Sequence, residues 1–136
     1  MKIEIVSPSG SIFSGEAQGV KAPGVEGSFE VLSNHAPMIA AIDIGLLVIT
    51  DSSGSAITFA TSGGFVDVQN DQVSVVAETA ELATDIDVER AQAAEKRAVD
   101  ALADSADPAT KAIMTKALDR ARNRLRISMG SVGTNR

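Results

Sequence analysis

The chain has 136 residues, a hydrophobic fraction of 44% and a formal net charge of −6. This length suits one domain, or one domain with an appendage, and the apolar content argues against global disorder. Cysteine is absent, which excludes disulfides, thiolate nucleophiles and zinc–thiolate sites and fits a reducing compartment.

The first part of the chain has the pattern of short strands. Residues 2–6 alternate polar and apolar side chains, the period of a half-buried strand, and they follow the first residue so directly that no signal or transit peptide is predicted. The longest apolar stretch, 38–50, is interrupted by Asp43 and is shorter than the roughly 20 residues of a membrane helix, so a soluble protein is expected. Further strands are predicted at 29–32, 46–50, 56–60, 65–69 and 72–77.

Turn residues separate these runs, because proline presets one backbone dihedral and glycine tolerates the left-handed region. The predicted turns are Ser7-Pro8-Ser9-Gly10, Asp51-Ser52-Ser53-Gly54, Ser62-Gly63-Gly64 and Asn70-Asp71. Many short strands at this spacing favour an antiparallel β-sandwich or flattened barrel over βαβ units.

The pattern changes to helical near Glu81. A helix is predicted over 88–104, with Asp87 as its N-cap and an alanine stripe of Ala91, Ala94, Ala98 and Ala101. A second helix is predicted from an Asp107 cap and Pro108 to about Ser128, and the segment 130–136 is expected to fray. Its predicted apolar side comprises Ile113, Met114, Ala117, Leu118, Ala121 and Leu125.

These two helices are expected to form an antiparallel hairpin, which makes the fold class α+β: an N-terminal antiparallel β-sandwich followed by a C-terminal two-helix hairpin. Alanine buries little area, so the hairpin packs closely but docks weakly and is a candidate switch. Charge divides the chain in the same way. Residues 1–84 carry two cations against ten carboxylates, and residues 85–136 carry ten cations against eight, which predicts two domains with these bounds.

His35, the only histidine, is the first candidate for chemistry. A metal site would need further ligands, and neither another histidine nor a cysteine exists. A Ser-His-Asp arrangement needs only one histidine, but no serine lies in a Gly-x-Ser-x-Gly elbow. We therefore interpret His35 as structural or as an interface residue. Gly63-Gly64 lacks the pattern of a phosphate loop and is interpreted as turn glycine.

The strongest charge feature is the cluster Arg120, Arg122, Arg124 and Arg126. It is either a solvated helix surface or a site for a carboxylate-rich protein or an anion such as a nucleotide phosphate. Nucleic acid is not expected as a partner, because the chain is acidic and has no Trp or Tyr for stacking.

Taken together, a set of segments in order along the chain resembles the epsilon subunit family of the F-type ATP synthase. In the strand-rich part these are Ile5-Val6-Ser7-Pro8, Phe13-Ser14-Gly15, Pro23-Gly24-Val25-Glu26-Gly27, Val31-Leu32, His35-Ala36-Pro37, Gly63-Gly64-Phe65-Val66-Asp67-Val68 and Val75-Val76-Ala77. In the helical part they are Ile86-Asp87-x-x-Arg90-Ala91 and Arg120-Ala121-x-Asn123-Arg124-Leu125.

The resemblance implies a non-catalytic rotor subunit of a proton-translocating enzyme, with no metal site and no required cofactor. It implies a sandwich bound to the gamma subunit and the c-ring, and a hairpin that folds back or extends toward the alpha and beta subunits. The resemblance further implies that extension inhibits ATP hydrolysis and that the subunit couples rotation to synthesis. The implied location is peripheral, on the cytoplasmic face of the bacterial cell membrane, with a plastid thylakoid as the alternative.

Some members of this family bind regulatory ATP in the folded hairpin. By resemblance, the residues that would bind it here are Glu81, Ile86, Asp87, Arg90, Ala91, Arg97, Arg120 and Arg124. The implied partner contacts are Ser28, His35, Arg122 and Arg126. The family's usual Leu-Pro-Gly-His-Ala-Pro is Leu32-Ser33-Asn34-His35-Ala36-Pro37 here, and Ser28 replaces a frequent Glu, so the c-ring contact differs in detail.

Two other functions remain open from the residues alone. A free-standing β-sandwich could bind peptide or carbohydrate, although the lack of Trp and Tyr platforms disfavours sugar. A small hydrolase using His35 would need a nucleophile that no motif supplies.

Overall fold

The computed structural model describes residues 1–133, which form two compact units, Met1–Leu82 and the part from Ala83 onward. The first unit contains seven strands and the second contains a short 3-10 turn and two helices. The strands are β1 (Lys2–Ser7), β2 (Gly10–Ala22), β3 (Phe29–Leu32), β4 (Met38–Asp51), β5 (Ala56–Gln69), β6 (Gln72–Ala77) and β7 (Ala80–Leu82). The 3-10 turn spans Ala83–Asp85, and the helices are α1 (Val88–Asp104) and α2 (Pro108–Gly133).

The sheet of the first unit closes on itself. Its order is β1-β6-β5-β4-β2, and β2 pairs back onto β1, while β3 adds to β2 and β7 adds to β5. All pairs are antiparallel except β1 with β6, which is parallel. Closure leaves few free strand edges, which protects the sheet against edge-to-edge association. The α+β fold class is confirmed, with this one parallel pair as a refinement.

The long strands β4 and β5 bend so that each contributes to two packed layers. Along β4 the buried positions change from Ile42 to Leu47 and Ile49, so the inward face switches parity near Gly45. Along β5 the same switch occurs at Gly63-Gly64, which have φ of 122° and 139°. Since side chains alternate faces along a strand, only a local break in the pleat can produce this switch.

The predicted hairpin turn at Ser62-Gly63-Gly64 is therefore wrong: β5 continues through it, and the predicted strands 56–60 and 65–69 are its two halves. The register between β4 and β5 holds on both sides, from Thr50 opposite Ala56 to Met38 opposite Val68. The sequence prediction also missed β2, β7 and the first half of β4. Each of these depends on pairing with distant strands rather than on a local pattern.

The remaining predicted turns are confirmed. Asn70 and Asp71, with φ of 53° and 58°, close the β5–β6 hairpin in the conformation of a type I′ turn. Around the loop after β4, the Asp51 carboxylate accepts hydrogen bonds from the Ser53 and Ser55 amides, each at 2.9 Å.

The core of the first unit is aliphatic, as expected from a composition with only 3% aromatics. Phe59 is its largest fully buried side chain, and Phe13 packs edge-on against it with ring centroids 6.0 Å apart. The other large side chains that are fully buried and apolar are Ile3, Ile5, Val20, Val31, Leu47, Ile49, Val66, Val68, Val73 and Val75.

In the second unit, α1 begins and ends where predicted. The Asp87 carboxylate accepts from the Arg90 amide at 3.1 Å, which confirms it as the N-cap. Asp107 caps α2 through the amide and hydroxyl of Thr110, at 3.2 and 2.8 Å. The α2 helix continues to Gly133, beyond the predicted end at Ser128 and through part of the segment expected to fray; 134–136 lie outside the described residues.

The two helices pack as an antiparallel pair around small side chains. Ala91 and Ala98 of α1 and Ala121 of α2 are buried. Ile113, predicted on the apolar side of α2, is 61% exposed, because it lies near the start of the helix, away from the buried residues Ala121, Asn123 and Ile127. Such a small-residue interface brings the backbones close but buries little apolar area.

Candidate functional site

The loop around His35 joins β3 to β4. The His35 amide donates to the Leu32 carbonyl at 3.2 Å, and the ring Nδ1 lies 2.8 Å from the Ala36 carbonyl oxygen. The ring is half-buried, and no cluster of three or more His, Asp or Glu side chains able to hold a metal occurs among the described residues. The hydrogen bonds that His35 forms are therefore local to its own loop.

Asp71 holds this loop from the neighbouring β5–β6 hairpin. Its Oδ1 accepts a hydrogen bond from the Asn34 amide at 2.9 Å. Asn34 adopts a left-handed conformation with φ of 65°, which a residue with a Cβ rarely occupies without support. Ser28, the other sandwich residue predicted to contact a partner, is exposed just before β3, whereas His35 follows β3. The structure thus places them at opposite ends of that strand.

The outer face of the sandwich carries an apolar row that the sequence prediction missed. We define the apolar row as Ala41, Phe65, Val76 and Val6, which lie directly opposite one another on β4, β5, β6 and β1. Phe65 is 43% exposed, and the nearby Ile39 on β4 is 72% exposed. The signal was available, because Val66 and Val68 face the core and alternation then directs Phe65 outward.

Acidic side chains flank the apolar row. Asp67 follows Phe65 by two positions on the same face of β5, and Glu4 precedes Val6 in the same way on β1. Exposed aromatic and aliphatic groups with a charged border are typical of protein-binding surfaces.

The residues predicted to bind ATP fall in both units. Glu81 lies in β7 of the first unit, and the others lie in the second unit. Ile86 and Ala91 are buried, so they can shape a site but present no polar group. Asp87 is engaged as the N-cap, while Arg90 and Arg97 are exposed and Arg120 and Arg124 are half-buried.

Two arginines of the α2 cluster already form side-chain hydrogen bonds within the helical unit. Arg122 Nε donates to Glu95 Oε2 at 3.0 Å, and Arg126 Nη2 donates to Asn123 Oδ1 at 2.6 Å. Arg90, Arg97 and Arg120 form no ion pair with any residue in the described part of the chain.

The Glu95–Arg122 pair also sets the register of the antiparallel helices. Because the helices are antiparallel, residue numbers rise along α1 as they fall along α2. With Glu95 opposite Arg122, Arg97 is therefore level with Arg120 along the helix axes, and Arg90 is level with Ile127. At 1.5 Å per residue, the levels of Arg90 and Arg97 differ by about 10 Å. A group of cations spread along the axis in this way suits an extended polyanion better than a single phosphate.

The carboxyl groups with lowered pKa do not mark a catalytic centre. Hydrogen bonds from Ser53 and from the Ser55 backbone lower the pKa of Asp51, and those from Thr110 lower the pKa of Asp107. Both effects come from turn and helix caps. Within the described residues, no helix is long and apolar enough to span a bilayer.

Comparison with known families gives two adjoining matches. Residues 1–83 match the family described as ATP synthase, Delta/Epsilon chain, beta-sandwich domain. Residues 84–129 match the family described as ATP synthase, Delta/Epsilon chain, long alpha-helix domain.

Relatives named ATP synthase epsilon chain align with nearly the whole sequence. One from Salinibacter ruber is 48% identical over 142 residues, covering 98% of this chain and 95% of the relative. Another from Syntrophomonas wolfei is 40% identical over 126 residues, covering 93% and 92%.

Two solved structures share the fold. A chain in the Euglena gracilis mitochondrial ATP synthase OSCP/F1/c-ring structure superposes with a TM-score of 0.78 at 20% identity, covering 96% of this chain and 79% of that one. A chain in the Tetrahymena thermophila mitochondrial ATP synthase central stalk/c-ring structure gives 0.59 at 14% identity, covering 94% and 96%.

Proposed function

Because this chain belongs to the family of ATP synthase epsilon chains, we propose that it couples rotation of the central stalk to ATP synthesis and inhibits ATP hydrolysis through its helical unit. It is a non-catalytic subunit of a membrane-associated complex, which removes the hydrolase and free-standing module hypotheses. The bacterial names of the relatives support a peripheral position on the cytoplasmic face of a bacterial cell membrane.

The first unit supplies the rotor contacts in this proposal. The apolar row, with Ile39 beside it, binds the gamma subunit, and the acidic border favours basic residues on that partner. The His35 loop and the exposed Ser28 face the c-ring. Support comes from the exposure of Ser28 and of most of the loop, and from the closed sheet that carries them, since a coupling subunit must transmit torque.

The second unit supplies regulation. Its alanine-based helix pair buries little area, so the cost of separating the helices is modest compared with that of an aliphatic interface. Extended helices would present the arginines of α2, including Arg122 and Arg126, to acidic segments of the alpha and beta subunits. The observation that carries this proposal is the weak helix pair bearing an arginine cluster in a chain of this family.

Removing the second unit tests the inhibitory role. Complexes assembled with a chain lacking residues 85–136 are expected to hydrolyse ATP several-fold faster than matched complexes with the full chain. A Lys96→Ala and Asp100→Ala double variant is the control, because it removes only an exposed ion pair on α1. Equal hydrolysis by truncated and full complexes, with equal subunit content, would contradict the inhibitory role.

We further propose that the folded helical unit binds regulatory ATP through Arg90, Arg97, Arg120 and Arg124, with Asp87, Ile86 and Ala91 around them. The support is that Arg90, Arg97 and Arg120 form no ion pair within residues 1–133, which leaves their guanidinium groups available to an anion, whereas Arg124 is already engaged.

Calorimetric titration of the full chain with ATP tests this site. Arg97→Ala should weaken binding about tenfold, which corresponds to the loss of about 1.4 kcal/mol from a charge-assisted hydrogen bond. Lys96→Ala is the matched control, because it removes the same charge at the adjacent position, which points about 100° away around the helix. Absence of heat at millimolar ATP, or equal weakening by both variants, would refute the assignment.

A further inference from the structure

The loop 33–37 is shaped by a contact from outside its own segment. Its backbone reverses at Asn34, which has a left-handed conformation, and the amide of that residue donates a hydrogen bond to Asp71 Oδ1 at 2.9 Å. Asparagine tolerates left-handed backbone better than most non-glycine residues but is not confined to it, so a hydrogen bond to its amide restricts the shapes that the loop can adopt.

Asp71 is itself held rigidly. It is the second residue of the two-residue turn between β5 and β6, and its carbonyl oxygen accepts from the Lys2 amide at 3.2 Å. The other carboxylate oxygen lies 3.7 Å from the amino group of Met1, which is shared with Glu16 at the same distance. Asp71 is therefore held in place at the start of β6 by its contacts with the beginning of β1, and its carboxylate connects both strands to the β3–β4 loop.

We propose that Asp71 is a positioning residue that pre-forms the 33–37 loop for binding to the c-ring, a role that rests on the ring contact proposed above. The exposed residues of this loop meet the partner, and Asp71 fixes their shape beforehand. The loop then loses less conformational freedom when it binds the c-ring, which raises the affinity without adding a contact. Asp71 acts through the Asn34 amide and need not touch the ring.

Three variants separate this role from folding. Asp71→Gly removes the carboxylate, yet it leaves Asn-Gly, the most favourable pair for a type I′ turn, so the hairpin is preserved. Asp71→Asn keeps an oxygen acceptor and also tolerates positive φ, so it should restore the clamp. Glu16→Gln removes the other carboxylate beside the Met1 amino group and controls for that interaction.

The first measurement is amide hydrogen exchange of the full chain in solution. Asp71→Gly should speed exchange of the Asn34 amide about tenfold, the effect of losing one hydrogen bond to a charged group. Asp71→Asn and Glu16→Gln should exchange like the natural chain. Unchanged exchange at Asn34 in Asp71→Gly would overturn the positioning role.

The second measurement is the dissociation constant of each chain for synthase complexes depleted of this subunit. Asp71→Gly should weaken binding several-fold, and Asp71→Asn should restore it. If His35→Ala weakens binding but Asp71→Gly does not, the pre-forming role is overturned while the loop contact stands. If neither variant weakens binding, the ring contact of this loop fails as well, independently of the hydrolysis result for the truncated chain.

Discussion

At the scale of single residues, two adjacent glycines decide the architecture of the sandwich. Gly63 and Gly64 occupy positive φ in the middle of β5, where they switch the inward face of the strand. A Cβ on Gly64 would collide with the carbonyl oxygen of Val76 and lie 2.9 Å from the Ala77 Cα. The hydroxyl of Thr61, which is buried nearby, donates to the carbonyl oxygens of Asp43 and Gly45 at 3.3 and 3.4 Å. Thr61 thus provides a hydrogen-bond donor to β4 at the point where the inward face of that strand switches.

We expect Gly64→Ala to lower the free energy of unfolding by more than about 2 kcal/mol, because it combines a disallowed backbone conformation with a backbone collision. Chemical denaturation of the full chain measures this loss. Gly54→Ala is the matched control, since Gly54 also has positive φ but open space around its Cβ direction. A loss at Gly64 no greater than at Gly54 would show that β5 can relax without cost.

At the scale of elements, caps define the helices more strongly than their apolar faces do. α2 has no acidic residue in its first turn, so the carboxylate of Asp107 alone supplies negative charge at its positive end. Hydrogen bonds from Thr110 lower the pKa of Asp107 in the folded chain below its ordinary value of 3.8. The helix pair itself is held by small side chains, which matches its proposed role as a switch.

This lowered pKa gives a pH prediction. Because the folded-state pKa lies below the unfolded value, the stabilisation is complete above pH 3.8 and is lost as the pH falls through the folded pKa. We expect Asp107→Asn, which still accepts the cap hydrogen bonds, to lose less helicity than the natural chain between about pH 5 and pH 2. Circular dichroism at 222 nm would measure this. Parallel acid curves for the two chains would contradict it.

At the scale of the whole molecule, the two units differ in how they are built. Every residue of the aliphatic core cluster lies within Met1–Leu82. The helical unit depends on close alanine contacts and on caps. A sheet with a complete core followed by a pair of helices packed through small side chains is the arrangement expected for the proposed coupling and regulatory roles.

A fragment of residues 1–84 is therefore expected to fold alone and unfold cooperatively, since its core cluster is complete. Dispersed amide resonances and a single denaturation transition would support this expectation. A fragment of residues 85–136 is the comparison and should be far less stable, because an isolated pair of alanine-packed helices buries little apolar surface. An aggregated or molten 1–84 fragment would contradict the prediction.

Elements with a local signal could be predicted from the amino-acid sequence alone. Such signals predicted the strands at residues 2–6 and 72–77, the turn at Asn70-Asp71 and the helix caps at Asp87 and Asp107. In each case, residues close in sequence supply the hydrogen bonds or the alternation of polar and apolar side chains. The ordered motifs also led to the family. For the candidate site, the sequence predicted which residue types take part. It did not predict where the arginines lie along the helix axes or which of them already form hydrogen bonds or ion pairs.

The remaining features depend on contacts between residues that are far apart in the chain. A glycine pair at positive φ suits a hairpin turn and a strand bend equally, and whether the chain reverses there depends on the strands beside it, β4 and β6. Pairing with distant strands likewise made β2 a strand and directed Phe65 outward. The Asp71–Asn34 contact joins residues 37 positions apart. Such contacts form only when folding closes the sheet, so no local pattern could predict them.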